Sequence, residues 1–356
     1  MKVLLAGLGS IGQRHVRNLR TLLGDGVQIL AYRAQGGSPV INADMSVKPG
    51  VSVEAAYGIR SFVDLDEALA QAPDAVFVTN PNSLHMPVAL AAARAGCHLF
   101  IEKPLADSLE GVEELLELID RKRLVGFVAY QFRFHPGLRW IKNALRTRRI
   151  GRVVAAHIVN GEYLPDWHPY EDYRESHAAR RALGGGSLRI QTHELDYALW
   201  LFGMPRRIYA VGGHLSRLDV DVEDSVSLLL SCEDEGNLHP VHIHLDYLQR
   251  PPQRVCEIIG DAGKLEYDFY RNEVVLHDLA ARATERITFG GFERNRMFLD
   301  ELSHFLACVK GEAEPVVDVR EAVRSLTISL LADESLRTGM VMACAASPWQ
   351  AVEGGN

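Results

Sequence analysis

The sequence predicts an α/β protein in which a doubly wound parallel sheet is followed by a second domain built around an antiparallel sheet. In residues 1–125, short apolar runs typical of buried strands alternate with helical patterns, as a doubly wound sheet requires. In residues 152–278, several β-rich runs are joined by turn residues, which favours antiparallel pairing. A chain of 356 residues is long for one hydrophobic core, so we place domains at residues 1–125 and 126–356.

Charge and cysteine usage exclude several classes of protein. The formal net charge is −8 and the basic runs are short, so we expect no nucleic-acid partner. Five cysteines occur without a C-x-x-C pair, which argues against a disulfide framework or a zinc site. Residues 1–12 are too short an apolar run for a signal peptide, and no run is long enough to span a membrane. We therefore expect a cytoplasmic protein without a membrane partner.

The first predicted strand and helix carry a dinucleotide-binding pattern. An apolar run at 2–7 leads into Gly7, Gly9 and Gly12, in the spacing G-x-G-x-x-G, and a helical pattern follows. The first glycine permits a tight turn, the second lets the backbone approach a pyrophosphate, and the third lets helix and strand pack closely. The cofactor contacts predicted here are Gly7, Gly9, Ser10, Ile11 and Gly12.

The second predicted strand, residues 27–34, bears on the choice between NADP and NAD. A site for NAD would place an acid near the end of this strand, to hold the ribose 2′-hydroxyl. That region holds Tyr32 and Arg33, and the next acid is Asp44. Arg33 and Ser38 could instead receive a 2′-phosphate, Arg33 through its planar guanidinium fork. We favour NADP and keep NAD as the alternative, in which Arg33 is a surface residue.

Later strands should end beside the glycine loop. Residues 61–72 read as a strand and a helix capped near Asp64, and the runs 74–85 and 97–105 read as strands entering turns. Because parallel strands share one carboxyl edge, these turns are expected to meet there. A lysine at that edge, Lys103, could donate or accept a proton; otherwise it is a surface lysine in a loop. The cofactor contacts predicted from the two turns are Thr79, Asn80, Pro81, His85, Glu102 and Lys103.

A glycine triplet at 184–186 opens a segment with helical spacing. This segment carries His193 and Asp196 at positions i and i+3, so both lie on one face, which is either catalytic or part of a core helix.

The loop 163–174 is rich in aromatic and charged residues, a composition that suits binding a polar ligand or wrapping around a neighbouring subunit. His242 and His244 share a strand face without a recognisable third ligand, so we predict no metal site.

These features in this order resemble the Gfo/Idh/MocA oxidoreductases. The glycine loop, the TNPNSLH turn, the EKP turn and the GGG…HELD segment together span nearly the whole chain. The resemblance implies a Rossmann domain followed by an α/β domain with a large, open, mostly antiparallel sheet. It also implies reversible hydride transfer between NAD(P) and a secondary alcohol or ketone of a sugar, cyclitol or nucleotide sugar, in a branch associated with sugars and nucleotide sugars.

The resemblance assigns three catalytic residues and reveals one departure. It implies that Lys103 is the catalytic lysine, His193 the active-site histidine and Asp196 the acid three residues later. We expect Asp196 either to orient His193 and favour its protonated form, or to contact the substrate. The family usually carries an aspartate three or four residues before the histidine, where this chain has Ile190 and Arg189. The alternative is therefore a catalytically impaired nucleotide-binding sensor or scaffold.

Substrate contacts are expected from residues around the same segment. A side chain of Arg189 that points into the cleft would bind a substrate carboxylate or phosphate in a bidentate manner. Gln191 or Thr192 could add a polar contact but neither can act as a base. The residues predicted to contact a small, sugar-type substrate are Arg133, Tyr163, Trp167, Arg189 and His193.

The predicted open sheet also bears on assembly. One face would pack on helices, and we expect the other to be apolar and to form an interface. The residues expected on that other face include Val226, Leu228, Leu230, Ile243 and Leu245. We predict a homodimer or homotetramer with twofold symmetry, as the resemblance also implies. The alternative is a monomer in which loops such as 163–174 cover the face.

Overall fold

The computed structural model describes residues 1–34 and 39–344. Within them, no helix has the length and apolar character needed to cross a membrane. The strands of this part are β1 (Lys2–Ala6), β2 (Gln28–Tyr32), β3 (Val40–Ile41), β4 (Val47–Lys48), β5 (Arg60–Phe62), β6 (Ala75–Val78), β7 (His98–Glu102), β8 (Gly126–Ala129), β9 (Val153–Gly161), β10 (Arg207–Gly213), β11 (Ser225–Asp234), β12 (Asn237–Asp246), β13 (Gln253–Gly260), β14 (Gly263–Asp268), β15 (Glu273–Asp278), β16 (Ala283–Thr288) and β17 (Met342–Ala343). The helices are α1 (Ser10–Leu23), α2 (Val53–Tyr57), α3 (Leu65–Leu69), α4 (His85–Ala95), α5 (Val112–Lys122), α6 (Pro136–Arg146), α7 (Ser187–Ile190), α8 (His193–Phe202), α9 (Arg294–Val309) and α10 (Val319–Thr338).

The first sheet is parallel throughout and runs in the order β5-β2-β1-β6-β7-β8. Its central strands are buried on both faces, because α4, α5 and α10 cover one face while α1 and α9 cover the other. Continuous apolar strands of this kind are what a sheet between two helical layers requires. The predicted doubly wound parallel sheet is confirmed, and α3 begins after Asp64, whose carboxylate caps it as predicted.

The first sheet draws on residues from beyond position 125. β8 lies just past the predicted domain boundary, yet it completes this sheet. From farther along the chain, α9 places Phe305 against Phe77 and Phe100, with ring centroids 5.6 and 5.3 Å apart. The boundary at residue 125 stays a prediction, and α10 packs on both sheets.

The second sheet has nine strands, in the order β16-β15-β14-β13-β9-β12-β11-β10-β17. Its neighbouring strands are antiparallel, except that β9 and β12 are parallel, so the predicted large and mostly antiparallel sheet is confirmed. One face packs on α6, α8 and α10, to which Leu138, Leu195 and Ile328 belong.

The apolar residues expected on the uncovered face lie on the covered face instead. Val226 and Leu228 of β11 pair with Leu245 and Ile243 of β12, and all four, with Leu230, are at most 1% exposed. These residues recur at intervals of two along their strands, so they share one face and join one core. That prediction is therefore wrong. The uncovered face carries the alternate set, which mixes apolar and imidazole side chains: Tyr209, Val211, Leu229, His157, His242 and His244.

The segment after the glycine triplet folds as two helices. α7 ends at Ile190 and α8 begins at His193, with two residues between them outside either helix. The last carbonyl groups of a helix have no partner within it, so the Ile190 oxygen is free to accept a hydrogen bond from elsewhere. Helical spacing alone did not predict this break, which places a main-chain acceptor beside the active-site histidine.

Candidate active site

The carboxyl ends of the first sheet border a cleft of 1510 Å³. The glycine loop after β1 and the turns after β6 and β7 all line it, as the shared-edge argument predicts. The predicted site residues on its wall are Gly7, Gly9, Ser10, Ile11, Arg33, Thr79, Asn80, Pro81, His85, Glu102, Lys103, Tyr163, Trp167 and His193. Those away from the wall are Gly12, Arg133, Arg189 and Asp196. Ser38 lies outside the described residues.

The glycine loop fits a diphosphate. A Cβ atom on Gly12 would lie 2.4 Å from the Gly7 carbonyl oxygen, and one on Gly7 would lie 2.9 Å from the Thr79 oxygen. The protein's own packing therefore requires glycine at both positions. A Cβ atom on Gly9 would meet no protein atom within 4 Å. Since Gly9 directly precedes α1, whose N-terminus has no side-chain cap, this open space suits a cofactor phosphate.

His85 joins the two turns that border the loop. Its buried ring lies between the carbonyl oxygens of Asn80 and Pro104, each 2.9 Å from a ring nitrogen. Burial lowers the pKa of His85 despite these hydrogen bonds. The hydroxyl of Thr79 in turn donates to the Gly7 carbonyl at 2.8 Å. These contacts fix the turns relative to each other before any ligand is bound.

Arg33, the residue that favours NADP in the sequence, already has an anionic partner. Its guanidinium donates to the carboxylate of Glu54 on α2, which also accepts the Ser61 hydroxyl at 3.0 Å. Arg33 is 9% exposed. A 2′-phosphate would have to share this guanidinium with Glu54, so the pairing weighs against a role for Arg33 in NADP recognition.

Lys103 lies on the cleft wall and bridges the two domains. Its Nζ donates to the carbonyl oxygen of Ile190 at 2.9 Å. Burial is the main cause that lowers the pKa of Lys103; Glu102 opposes it, and the charges of Arg254 and Arg294 lower it further. Ile190 stands where the resemblance leads us to expect an acid, so its main-chain oxygen gives Lys103 an acceptor that no side chain there provides.

The side chain of Glu102 is held by a contact with α1. Its Oε1 lies 2.7 Å from Nε2 of His15 on α1, and both side chains are buried. The His15 ring packs edge-on against Phe100, with centroids 4.9 Å apart. This pair fixes α1 against the end of β7, and so holds the glycine loop and the lysine turn in one frame.

His193 is held as a neutral ring. It stacks on Phe132, with centroids 4.6 Å apart, and its Nε2 lies 3.2 Å from Nε2 of Gln131. Among the described residues, its Nδ1 has no hydrogen-bond partner. Burial, followed by the charges of Lys103 and Arg254, lowers the pKa of His193 well below its usual value. The predicted charging of this histidine by Asp196 is therefore not what the geometry provides.

Asp196 is committed to a different partner. Its carboxylate accepts hydrogen bonds of 2.7 and 2.9 Å from Arg133, which also donates to Glu321 on α10 at 2.9 Å. Asp196 is 0% exposed and Arg133 is 5% exposed. The pair ties α8 to α10 away from the cleft. Asp196 makes these hydrogen bonds away from His193 and Arg133 lies off the cleft wall, so the arrangement supports neither the predicted orienting role of Asp196 nor the predicted substrate contact of Arg133.

Arg189 is likewise paired with the protein. Its guanidinium donates to the carboxylate of Asp333 on α10, and neither residue lines the cleft. The position thus fastens α7 to α10. Because the guanidinium is engaged with Asp333 and lies off the cleft wall, the arrangement gives no support to the predicted contact between Arg189 and a substrate anion.

The loop 163–174 covers part of the cleft. Tyr163 and Trp167 lie on the wall, and the Tyr163 ring packs under the Arg250 guanidinium, 4.0 Å from ring centroid to Cζ. Tyr170 lines the cleft together with Ser10 of the glycine loop, and burial raises the pKa of Tyr170 to about 12. This placement favours the ligand-gripping alternative for the loop.

Sequence reasoning named Gln191 as a possible polar contact but missed the other polar residues on the wall. Gln131, Asn160 and Gln191 each have a buried amide oxygen without a partner among the described residues. Ordered water or a hydroxyl-bearing ligand is the usual partner of such groups. His177, which precedes the glycine triplet, also lines the cleft, and burial and the charge of Lys103 lower its pKa to about 4. No motif marks these positions, except that Gln191 adjoins the active-site segment.

Two family models match the chain in succession. The first, GFO_IDH_MocA, is described as an oxidoreductase family with an NAD-binding Rossmann fold and matches residues 1–130. The second is the GFO/IDH/MocA C-terminal domain and matches residues 138–266. The two models follow the order of the two sheets.

Curated relatives agree with this assignment, and a solved structure shares the fold. Myo-inositol 2-dehydrogenase of Thermotoga maritima is 26% identical over 344 residues, which cover 94% of this chain and 96% of that protein. Inositol 2-dehydrogenase 2 of Saccharopolyspora erythraea is 30% identical over 278 residues, covering 74% and 72%. The WlbA dehydrogenase of Bordetella pertussis, solved with NADH and UDP-GlcNAcA, superposes with a TM-score of 0.77 at 23% identity, covering 98% and 99% of the chains.

The Arg133–Asp196 pair generates a stability prediction. Replacing Asp196 with Ala leaves a buried guanidinium without its main counter-ion, so we expect a loss of about 3–5 kcal/mol in the free energy of unfolding, measured by urea titration. The double variant Arg133→Met/Asp196→Leu should recover much of that loss. NADH binding to the folded fraction should persist, since Asp196 is outside the cleft. Full stability of Asp196→Ala, with a shifted pH profile of activity, would instead restore a catalytic role.

Proposed function

This chain belongs to the GFO/IDH/MocA oxidoreductase family, and from that premise we propose that it interconverts a secondary alcohol and a ketone of a sugar, cyclitol or nucleotide sugar. The observation that carries the proposal is the position of Lys103. It lies on the wall of the cleft that the glycine loop also borders, with its Nζ fixed at 2.9 Å from the Ile190 carbonyl and its pKa lowered by burial. We propose NAD(H) as the cofactor.

The proposed chemistry divides between cofactor and protein. When bound, NAD would accept the hydride from the carbinol carbon, and NADH would supply it to the carbonyl carbon. In the direction of oxidation, neutral Lys103 takes the hydroxyl proton as the C–O bond becomes a carbonyl; in reduction, its ammonium returns that proton. The lowered pKa of Lys103 makes the neutral amine accessible nearer to physiological pH. The Ile190 carbonyl oxygen orients the amine by accepting a hydrogen bond from it.

His193 has a different part in this proposal. A neutral imidazole between Phe132 and Gln131 can hold the reacting oxygen by a hydrogen bond, while Lys103 carries the proton. His177 occupies the same cleft and is also kept neutral, so it adds a second polar contact for a hydroxylated ligand.

This geometry removes the reason for proposing a catalytically impaired sensor or scaffold. That alternative rests on the missing acid at Arg189 and Ile190. The main-chain oxygen of Ile190 serves Lys103 at that place, and Arg189 is used to fasten α7 to α10. The proposed catalysis therefore requires no side-chain carboxylate at position 189 or 190.

We also propose how the protein assembles and where it works. Exposed Val211 and Leu229, 56% and 50% accessible, lie on the uncovered face of the second sheet, which suits pairing with a second copy about a twofold axis. Light scattering should give a dimer or tetramer, and a monodisperse mass near 39.5 kDa would contradict this. We keep a cytoplasmic location as part of the proposal, in line with five cysteines that remain unpaired in the described region.

Lys103 provides the test of the proposed reaction. Turnover would be measured with NAD across cyclitols, sugars and UDP-sugars, and Lys103→Met should lower kcat by roughly 10²–10⁴-fold while NADH binding persists. In the wild type, oxidation should rise with pH through a midpoint below 10.5, because the neutral amine is the active form. Lys142→Met is the matched control: Lys142 also donates to a helix carbonyl, that of Trp200, but lies away from the cleft. Undiminished kcat in Lys103→Met would refute the role.

Glu54 provides the test of cofactor choice. The wild type should bind NADH more tightly than NADPH, because Glu54 occupies Arg33. Glu54→Gln removes that charge, so we expect the NADPH dissociation constant to fall by about tenfold relative to that of NADH. Glu67→Gln, an exposed acid on α3, should leave both unchanged. Tighter wild-type binding of NADPH, measured by fluorescence titration, would show that Arg33 recognises the phosphate despite Glu54.

A further inference from the structure

One arginine on the cleft wall stands apart from the others. Arg294 opens α9 and lines the cleft. Within the described residues, no carboxylate oxygen lies within 4.0 Å of its guanidinium nitrogens, and it donates no side-chain hydrogen bond. By contrast, Arg33, Arg250 and Arg254 on the same wall each donate to a carboxylate, and Arg14 and Arg17 donate to neutral oxygen atoms. A guanidinium presents five N–H donors, so Arg294 keeps its full capacity to bind an anion.

The position of Arg294 is close to the reacting groups. Arg294, Arg254, Lys103 and His193 line the same cleft, and the Arg254 guanidinium lies over the Phe132 ring, 4.3 Å from its centroid, on which His193 stacks at 4.6 Å. Burial is the main cause of the lowered pKa of Lys103 and His193, and the charge of Arg294 adds a smaller contribution to each. Arg254 lies nearby: its Nε and Nη2 bind Glu194 at 2.7 and 3.0 Å, and its Nη1 makes no hydrogen bond within the described part of the chain. Two guanidinium groups thus present unused donors beside the lysine and the histidine.

The acid whose charge acts on Arg294, Glu162, does not pair with it. Glu162 raises the pKa of Arg294 through space, but its carboxylate accepts the hydroxyl of Tyr270 at 2.8 Å and forms no ion pair with either arginine. Desolvation at the cleft wall and repulsion from the charge of Arg254 lower the pKa of Arg294, whose side chain is exposed to the solvent of the cleft. An anion placed between Arg254 and Arg294 would relieve this repulsion and receive charge-assisted hydrogen bonds.

Resting on the proposed function, we propose that Arg294 and the free edge of Arg254 form a subsite for a carboxylate on the substrate's own sugar ring. The substrate class is then an acidic sugar, such as a uronic acid or its nucleotide-linked form. Phosphate shares this chemistry, and the cofactor's phosphates are the other source, since Arg294 also acts on Arg14 beside the glycine loop. The substrate assignment follows from proximity to Lys103 and His193, which face the reacting carbon.

The experiment compares matched acidic and neutral sugars on the NADH-loaded protein. The probes are D-glucuronate against D-glucose and UDP-glucuronate against UDP-glucose, with dissociation constants from calorimetry. We expect the acidic member to bind at least about tenfold more tightly in one pair or both. Arg294→Gln should abolish the preference and Arg294→Lys should keep part of it. Arg296→Gln, which removes a charge that pairs with Asp300 on the same helix, should preserve it.

Each other outcome overturns the proposal. Equal affinity within both pairs, including no binding of any acidic member, removes the subsite, and so does a preference that survives in Arg294→Gln. Weaker NADH binding by Arg294→Gln, titrated without sugar, assigns the anion to the cofactor instead. Because binding is read without turnover, the proposed reaction can fail separately: a carboxylate preference that depends on Arg294, in a protein that oxidises or reduces no panel member, supports the subsite and contradicts the reaction.

Discussion

The hydrogen bond from Lys103 Nζ to the Ile190 carbonyl is the contact on which the site depends. It joins the edge of the first sheet to the break between α7 and α8, and so brings two domains to one cleft. A main-chain oxygen accepts from an ammonium or an amine without adding charge. Burial and the charges of Arg254 and Arg294 therefore lower the pKa of Lys103 with only Glu102 and Glu194 opposing them.

Charged pairs behind the wall hold this arrangement in place. Asp196 and Arg133 fasten α8 to α10, and Arg189 fastens α7 to the same helix. Such pairs contribute little net stability when compared with apolar packing, but losing one partner is costly. These pairs engage Arg133, Asp196 and Arg189, the three residues predicted from the sequence to have a catalytic role or a substrate contact. The cleft keeps two neutral histidines, a lysine of lowered pKa, the guanidinium groups of Arg254 and Arg294, and amide groups suited to hydroxyls.

Local patterns were sufficient to predict much of the site. Glycine spacing predicted the loop before α1, and the shared edge of parallel strands brought Thr79 and Lys103 beside it. The missing information is non-local. The partners Arg33–Glu54 and Arg133–Glu321 are 21 and 188 residues apart, and no spacing rule connects them. Alternation in β11 predicted two faces but not which one packs on helices, and the Ile190 acceptor belongs to the backbone, where residue type carries no signal.

The titration of Lys103 tests the central claim most directly. The chain has seven lysines, so selective isotopic labelling with Lys103→Arg as the assignment control would let NMR follow this one side chain with pH. We expect a midpoint below the ordinary 10.5, and a higher midpoint in Arg294→Gln, because removing that positive charge favours the ammonium. A midpoint at or above 10.5 in the wild type would contradict the account, since Lys103 would then be a charged ligand contact and not a proton carrier.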